Sequence, residues 1–389
     1  MANKFAPYSW PVCVLSCILL LLDDNHWLIE WLAYNYHVMP LRHLIVAVDP
    51  TSRTSPKRIL QRWNYLMNIQ VWHDVDYMAS QTNKKKKHPR HIKYQRKNAT
   101  LSMTPRSKNK NGALEQHRQR QNEFFVRCLE SFQEQHVSAE WVQLVDTDEY
   151  ITVHDDNTVN TDSDNYIEEP GSVLRALRQH EQGLRQQQDT TQKDCWYIPR
   201  FMYGAKESSP RVVERYVPPH PTSNKNQLPI SGRSLLTQRY LYRNSNHRLN
   251  GKNIVRLSAL KQQRDSSFES VHRISHLCPA PASIQYIEQL HQSPFLRIHH
   301  YLGTKEQYFS RSNDPRAGDN RTTYQQVPTE AHPVEGAYFK RDIFRYDQIT
   351  KEGTVWDSSL RGWIDGFCKS VGYDMAQYLL EGVGQVEYM

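Results

Sequence analysis

Apolar residues follow two patterns that alternate along the first part of the chain. Continuous apolar runs, typical of buried strands, lie at residues 12–22, 44–48, 69–72 and 141–145. Between these runs, apolar side chains recur every three or four residues, as one face of a helix requires, at residues 27–39, 55–67 and 124–132. Strands that alternate with helices predict an α/β fold with a mostly parallel, Rossmann-like sheet flanked by helices on both faces.

Beyond residue 170 the pattern becomes mixed. A helix is predicted at residues 172–180, and strands are predicted at residues 196–201, 235–242 and 252–257. Residues 207–227 are rich in proline and serine and are predicted to be a loop. We therefore expect a mixed half beside the parallel half of the sheet.

The strand at residues 141–145 ends in three carboxylates, Asp146, Asp148 and Glu149. A buried strand does not tolerate three ionised groups in its body, so the cluster is predicted where the strand leaves the sheet. That edge is where open α/β sheets bind ligands. Asp146 and Asp148 leave the same face of an extended backbone and offer hard oxygen ligands, which suit Mn²⁺ or Mg²⁺ bridging a diphosphate. The pattern favours an enzyme that uses a sugar nucleotide.

Two further Asp-x-Asp pairs have different surroundings. Asp162 and Asp164 stand in a polar tract with no apolar strand before them, and the tract lacks the mid-loop glycine of a calcium-binding EF-hand, so a solvated loop is predicted. Asp74 and Asp76 follow the short run at residues 69–72. That position leaves two interpretations open, a strand-terminal turn or further ligands at the same sheet edge.

The positive charge of the chain is concentrated in one segment. The 389 residues carry a formal net charge of +8. Residues 84–120 contain thirteen lysines and arginines and one acid, Glu115, a balance of +12 that leaves −4 for the rest. This insertion, at about residues 80–121, has little apolar periodicity, so burial cannot offset its ordering entropy and disorder is predicted. A solvated loop is one interpretation, and binding of anionic lipid or nucleic acid is the alternative.

The apolar run at residues 12–22 is too short to cross a bilayer as a helix, which takes about 20 residues. No transmembrane segment is predicted in this chain. The run is interpreted as a first buried strand, with a signal segment as the alternative, although Asp23 and Asp24 follow where a small-residue cleavage site would stand. The six cysteines show no metal-binding spacing and are too sparse for a disulfide scaffold, and one or two disulfides stay open as an interpretation if the protein is lumenal. Asn98 and Asn320 begin glycosylation acceptor patterns that matter only in that compartment.

Six segments form an ordered set of motifs between residues 12 and 308. They are residues 24–36, 48–52, 141–150, 251–256, 271–276 and 298–309. Together they resemble the GT-A glycosyltransferases, and among them glycosyltransferase family 92 and its family-2-like relatives. The chain departs from the family pattern at His26, which stands in place of Glu, and at Asn35, which stands in place of His. Tyr150 replaces Phe in the acidic motif, and Glu306 stands at a usual Ser position.

This resemblance implies a GT-A type fold and the transfer of a sugar from a nucleotide-sugar donor, expected to be UDP-linked, to a glycan or another hydroxyl acceptor. It also implies inversion and dependence on a divalent cation, Mn²⁺ or alternatively Mg²⁺, which would stabilise the charge of the leaving diphosphate. The implied metal ligands are Asp146, Asp148 and His300. A lone histidine is otherwise often structural, and that alternative stays open for His300.

The resemblance and the sheet edge also suggest contacts to the donor. Asp49, at the end of the strand at residues 44–48, is expected to meet the base or ribose, with a turn-capping role as the alternative. Asp146 is expected to contact the ribose as well as the metal. Lys305 is expected to approach the diphosphate, with a solvated helix-face lysine as the alternative. Glu149 is expected to hold a neighbouring ligand in place.

The sequence does not assign the general base that inversion requires. Asp314 and Asp365 are candidates, and an ordinary loop carboxylate is the alternative for both. Aromatic residues of the C-terminal region are candidates either to stack on acceptor sugars or to form core. These residues are Trp356, Trp363, Tyr373 and Tyr378.

We expect a glycosyltransferase-like domain at residues 1–310 and an extension at residues 311–389 that completes or covers the acceptor side. By resemblance, the protein is expected in the Golgi, with membrane association through an anchor outside this chain or through the basic insertion. Nucleic acid is not an expected partner. Two other classes stay open: a non-catalytic polyanion-binding protein, with strongly salt-dependent binding, and a metal-dependent phosphohydrolase, which needs a second His and Asp cluster that is not apparent.

Overall fold

The computed structural model describes residues 13–20, 23–78, 107–135, 139–153, 169–186, 194–208, 234–245, 248–261, 295–304, 307 and 346–384. Lys305, Asp314 and the pair Asp162 and Asp164 lie outside these residues. Within the described part of the chain, the helices are too short or too polar to span a membrane.

The first part of the chain alternates strands and helices, as predicted. Its elements are β1 (Cys13–Leu20), α1 (Asn25–Val38), β2 (Leu41–Val48), α2 (Lys57–Trp63), β3 (Asn68–Trp72), α3 (Asp74–Met78), α4 (Ser107–Glu134) and β4 (Ala139–Leu144). The four strands are parallel and lie in the order β4-β1-β2-β3. Their carboxyl ends therefore share one edge of the sheet, which is where Asp49 and the acidic cluster follow β2 and β4.

The second part of the chain extends the same sheet. Its elements are β5 (Glu149–Val153), α5 (Ser172–Gln186), β6 (Cys195–Tyr203), α6 (Leu236–Arg239), β7 (Tyr242–Asn244), β8 (Arg248–Arg256), α7 (Leu257–Lys261), β9 (Leu296–Tyr301), β10 (Gly353–Trp356), α8 (Trp363–Val371) and α9 (Tyr373–Leu379). β7 and β8 both pair antiparallel with β6, and β8 also pairs antiparallel with β4. β9 pairs antiparallel with β5 and parallel with β6.

The sheet is mixed, and the prediction of a mostly parallel sheet is not confirmed. Among the described strands, five pairs are antiparallel and four are parallel. β8 lies between β4 and β6 and runs antiparallel to both. Apolar patterning predicts that a segment is a strand but carries no information about its direction, which explains the difference.

Helix α1 is buried over its whole length. Its side chains are apolar or aromatic on most sides, as expected of a helix enclosed by the core. It packs against β5 and α8. Trp31 donates its Nε1–H to the carbonyl oxygen of Glu149 at 3.2 Å, and Tyr34 donates its hydroxyl to that of Ile151 at 2.7 Å. These bonds fix the strand that follows the acidic cluster.

The prediction of a strand at residues 235–242 is wrong, because residues 236–239 form the short helix α6 and only Tyr242 belongs to a strand, β7. The buried carboxylate of Glu30 accepts hydrogen bonds from the backbone N–H groups of Leu236 (2.6 Å) and Thr237 (3.0 Å), and from the Thr237 hydroxyl (2.6 Å). These are the donors that a first helical turn leaves unpaired. Burial raises the pKa of Glu30 to about 7, while the bonds from Thr237 and Leu236 oppose that rise.

The basic insertion is helical in its last part, where disorder was predicted. Helix α4 begins at Ser107, and residues 79–106 lie outside the described residues. The apolar face of α4 packs on the sheet through Phe124, Phe125 and Phe132. Burial of this apolar face stabilises the helix, as tertiary packing does for most helices in proteins.

The described part of the predicted extension belongs to the same fold as the preceding domain. β10 joins the sheet through β7, and α8 packs along α1. Trp363 and Phe367 of α8 lie in the hydrophobic core that also contains Trp31 and Tyr34. Residues 346–384 therefore complete the core.

Cys128 in α4 and Cys195 at the start of β6 are each disulfide-bonded, whereas Cys368 is a buried free thiol. Loss of a native disulfide commonly costs about 2 to 5 kcal/mol of stability. We expect dithiothreitol to lower the melting temperature of the protein, measured by circular dichroism. The Cys368→Ala variant should show the same loss on reduction, because Cys368 is not bonded. Two results together would contradict the disulfide assignment. Dithiothreitol would leave the melting temperature unchanged, and an alkylating reagent would label Cys128 and Cys195 in protein that has not been reduced.

Candidate active site at the exit of strand β4

The acidic cluster forms a tight connection between β4 and β5. The backbone N–H of Glu149 donates to the carbonyl oxygen of Asp146 at 3.1 Å, and β5 starts at once. Glu149 is directly opposite His300 in the antiparallel pair of β5 and β9. The N–H of Tyr301 donates to the carbonyl oxygen of Asp148 at 3.0 Å. The pairing of β9 with β5 therefore brings His300 to the cluster.

Asp148 and His300, which are 152 residues apart in sequence, are in contact. The Oδ2 atom of Asp148 lies 3.2 Å from Nε2 of His300, and both side chains are largely but not fully buried. The sequence predicted these two residues as ligands of one ion, and the structure brings them together at the end of β4.

Asp146 has a different neighbour. Its Oδ2 atom lies 2.8 Å from Nζ of Lys252, a buried residue of β8. The Asp146 side chain is itself 46 % exposed. One of its oxygens is thus already bound to a cation of the protein. Its expected roles as a metal ligand and as a ribose contact remain predictions.

Glu149 is fully buried between two cations. Its Oε1 atom lies 2.9 Å from Nη1 of Arg200, and its Oε2 atom lies 3.2 Å from Nζ of Lys252. The Oε2 atom also accepts the backbone N–H of Asp146 at 3.0 Å. Both carboxylate oxygens are therefore engaged, and the side chain holds the backbone of the acidic turn in place.

The two cations stay charged despite their burial. Burial lowers the pKa of Lys252, but the carboxylates of Asp146 and Glu149 outweigh it and the pKa is raised. The same opposition raises the pKa of Arg200, chiefly through Glu149. Three carboxylates thus face two fixed positive charges, which leaves the site close to one net negative charge.

The remaining charge lies where a cation fits. Asp148, Glu149 and His300 form a group whose ligand atoms lie within 4.8 Å of one another. Because Arg200 and Lys252 engage Glu149, Asp148 and His300 are the two residues placed to hold an ion. A carboxylate oxygen is a suitable donor for Mn²⁺, and a neutral imidazole nitrogen is a common ligand of metal ions in proteins. Two protein ligands leave coordination positions for substrate phosphate and water, as is common where the substrate completes the site.

Asp49 lies at the end of β2, at the same edge of the sheet, and is buried. Its Oδ1 atom accepts the backbone N–H of Thr51 at 2.9 Å and the Thr51 hydroxyl at 2.6 Å. Its Oδ2 atom lies 3.3 Å from Nη2 of Arg120 in α4. Asp49 thus makes the contacts of a turn-capping residue, which was the alternative interpretation of its role. Its expected contact with the nucleotide remains a prediction.

The other sequence candidates fall elsewhere. Asp74 and Asp76 are in the first turn of α3, where Asp74 accepts the Tyr77 hydroxyl and Asp76 accepts the backbone N–H of His73. This supports the turn interpretation. Asp365 is in the first turn of α8. Burial raises the pKa values of Cys368 and Tyr373, and the charge of Asp365 adds to the rise.

Sequence reasoning gave no role to Lys252 and Arg200. Arg200 lies in β6, whose other residues are mostly apolar or aromatic, and Lys252 lies in β8 just before the apolar pair Ile254 and Val255. A basic residue beside buried apolar strand positions requires a buried partner. That mismatch signals a buried ion pair. It does not identify Glu149 as the partner, since Lys252 and Arg200 reach Glu149 only through the pairing of β8, β6 and β9.

The chain has distant similarity to some solved structures. No protein-family model matches the chain, and no curated protein does. Among solved structures, S. aureus TarS 1-349 is similar at 12 % identity and a TM-score of 0.26, over 94 % of this chain and 82 % of that chain. The same fragment in complex with UDP has 12 % identity and a TM-score of 0.26, over 93 % and 82 %. S. aureus TarS has 11 % identity and a TM-score of 0.25, over 97 % and 54 %.

Proposed function

We propose that this protein is a metal-dependent glycosyltransferase that moves a sugar from a nucleotide-sugar donor to a glycan or another hydroxyl acceptor. The observation that carries the proposal is the contact between Asp148 and His300 at the exit of β4. The ordered motifs that resemble GT-A glycosyltransferases, two of which contain Asp148 and His300, also support it. A UDP-linked donor, Mn²⁺ as the ion, inversion and membership of family 92 are part of the proposal.

Asp148 and His300 would hold the divalent ion, and the bound ion would stabilise the negative charge that develops on the departing diphosphate. Lys252 and Arg200 keep positive charge beneath the same turn. Glu149, which both cations bind, holds the turn so that Asp148 does not need to reorganise when substrate arrives. The protein's own site carries close to one negative charge. A divalent ion bound there would offset part of the combined negative charge of the site and a diphosphate.

We also propose that the protein acts in the lumen of the secretory pathway, in the Golgi. The disulfide-bonded Cys128 and Cys195 support this proposal, because disulfides persist in oxidising compartments and are rare in the cytosol. Membrane association would come from a segment outside this chain or from the basic insertion.

A thermal-shift panel tests the donor and the metal together. We expect UDP-sugars to raise the melting temperature in the presence of Mn²⁺, and to raise it much less with EDTA. A ligand at about 100 times its Kd stabilises the native state by about 2.7 kcal/mol. UDP-glucose, UDP-galactose, UDP-N-acetylglucosamine and GDP-mannose should be compared, with AMP as the control nucleotide.

Absence of a shift with every nucleotide sugar and Mn²⁺ would contradict the proposal. Strongly salt-dependent binding of heparin in the same protein would then favour the polyanion-binding alternative. A nucleotide sugar could also raise the melting temperature equally with Mn²⁺ and with EDTA. That result would support nucleotide-sugar binding but contradict the proposed role of the metal.

A further inference from the structure

The structure separates the four C-terminal aromatic residues that were candidates for stacking on a sugar. Trp363 is fully buried in the core, and Tyr373 packs against the core while partly buried. Trp356 and Tyr378 are exposed, with 42 % and 48 % of their surfaces accessible. A tryptophan this accessible calls for a reason, because its large apolar surface is normally covered.

Trp356 lies on β10, paired with Tyr242 of β7. The two rings are 5.2 Å apart at 77°, so they meet edge to face. The ammonium group of Lys206 lies 4.1 Å from the centre of the Tyr242 ring and donates to the carbonyl oxygen of Gly353 at 3.3 Å. The three side chains form one aromatic and basic surface, which we call the Trp356 platform.

The platform is held rigidly by the next residue, Asp357. Its Oδ2 atom accepts the Tyr203 hydroxyl at 2.9 Å and the Nε–H of Arg243 at 3.1 Å, and its Oδ1 atom accepts the Ser359 hydroxyl at 2.7 Å. Burial raises the pKa of Asp357, but His299, Ser359 and Arg243 together outweigh it and the pKa is lowered. These bonds anchor the end of β10 that carries Trp356, which reduces the conformational entropy that the segment would lose when a ligand stacks on the ring.

The same segment reaches the strand that carries the metal-site histidine. The hydroxyl oxygen of Ser359 lies 3.4 Å from Nε2 of His299, and His300 is the next residue of β9. The strands lie side by side in the order β9-β6-β7-β10. The backbones of His300 and Trp356 are therefore three strand spacings of about 4.8 Å apart.

We propose that the Trp356 platform binds the acceptor as a carbohydrate, with a sugar ring stacked on Trp356. Rings of this kind pack against the apolar C–H face of a sugar, and the Lys206 ammonium supplies a donor to its hydroxyl groups. A single sugar cannot contact both Trp356 and a group at His300. The acceptor is therefore an oligosaccharide, bound at a unit removed from the reacting one. This inference rests on the proposed transferase function.

Tyr378 provides a matched comparison at another place on the surface. It lies beside Tyr65, which is also exposed and precedes β3 by three residues. Tyr65 and Tyr378 therefore sit near the amino ends of the parallel strands, whereas Asp148 is at the carboxyl ends. Tyr378 is therefore an exposed aromatic residue at the opposite edge of the sheet from the acidic cluster, and it serves as the control.

The test compares Trp356→Ala, Trp356→Phe and Tyr378→Ala in the full chain. Binding to an array of neutral di- to hexasaccharides ending in galactose, N-acetylglucosamine or mannose is measured without donor. KM for the best-bound oligosaccharide and the rate of UDP-sugar hydrolysis without acceptor are then measured. We expect Trp356→Ala to weaken oligosaccharide binding and raise the acceptor KM about tenfold. Trp356→Phe should retain most binding, and donor hydrolysis should be unchanged in all three variants.

Equal acceptor KM values for the wild type and Trp356→Ala would overturn the inference while leaving the transferase proposal intact, since donor hydrolysis persists. An array on which the wild type binds no oligosaccharide would overturn it as well. A loss in Tyr378→Ala equal to that in Trp356→Ala would also overturn it, because the effect would not belong to the platform. Absence of donor hydrolysis in the wild type would instead count against the proposed function.

Discussion

The Asp148→Asn variant is expected to lose about a thousandfold in sugar transfer, roughly 4 kcal/mol of transition-state stabilisation, because the neutral amide is a poor ligand for a hard divalent ion. Its fold should be preserved, since asparagine has the same shape and can still hydrogen-bond to His300. Transfer is measured as release of UDP at saturating Mn²⁺, and the fold by circular dichroism. The thermal shift that Mn²⁺ gives together with UDP should disappear in the same variant.

The matched control is Asp76→Asn, which makes the same chemical change in another Asp-x-Asp pair. Asp76 is exposed and accepts only a local bond from the backbone of His73 among the contacts that the structure resolves. We expect unchanged activity there. Full activity of Asp148→Asn would remove Asp148 from the site and with it the proposed use of the ion.

The largest effect on stability is expected from Lys252→Met. Methionine fills a similar volume, but it leaves Glu149 fully buried with Arg200 as its remaining cation and leaves Asp146 without its Lys252 contact. Breaking a buried ion pair by removing one partner costs about 3 to 5 kcal/mol. We expect a loss of this size in the free energy of unfolding, measured by urea denaturation.

Lys57→Met is the control, because Lys57 is exposed at the start of α2 and its removal should change stability by less than about 0.5 kcal/mol. The double variant with Glu149→Gln should lose less than the sum of the two single losses, because each single variant already removes the ion pair between Lys252 and Glu149 and that pair can be lost only once. Wild-type stability of Lys252→Met would mean that the two carboxylates are solvated or neutral in the native state.

Much of the fold follows from local patterns. The buried helix α1 and the strands that end before Asp49 and Asp146 are each determined by a contiguous stretch of residues, in which apolar spacing and the abrupt start of charge carry the information. For the same reason, the sequence placed the acidic cluster at the sheet edge correctly. The place of His300 came only from the resemblance, since a lone histidine in a strand has no chemical signal of its own.

The parts that could not be predicted depend on contacts between distant segments. Helix α6 forms because Glu30, more than 200 residues earlier, accepts its first N–H groups. The pairing of Lys252 with Asp146 and Glu149 arises because β8 runs antiparallel to β4. A single sequence contains neither the direction of a strand nor its neighbours, so the cations of the site were visible only as charged residues out of place.

The antiparallel pairing of β9 with β5 also determines when the site can form during synthesis and folding of the chain. Asp148 and His300 come together only after the chain has been synthesised past residue 300 and the late strand has docked on the earlier one. Contacts of such long sequence separation form slowly, because a large loop must close first. A nascent or truncated chain that ends before β9 would therefore contain the whole acidic turn but lack His300, so the proposed metal site would form as one of the last events of folding.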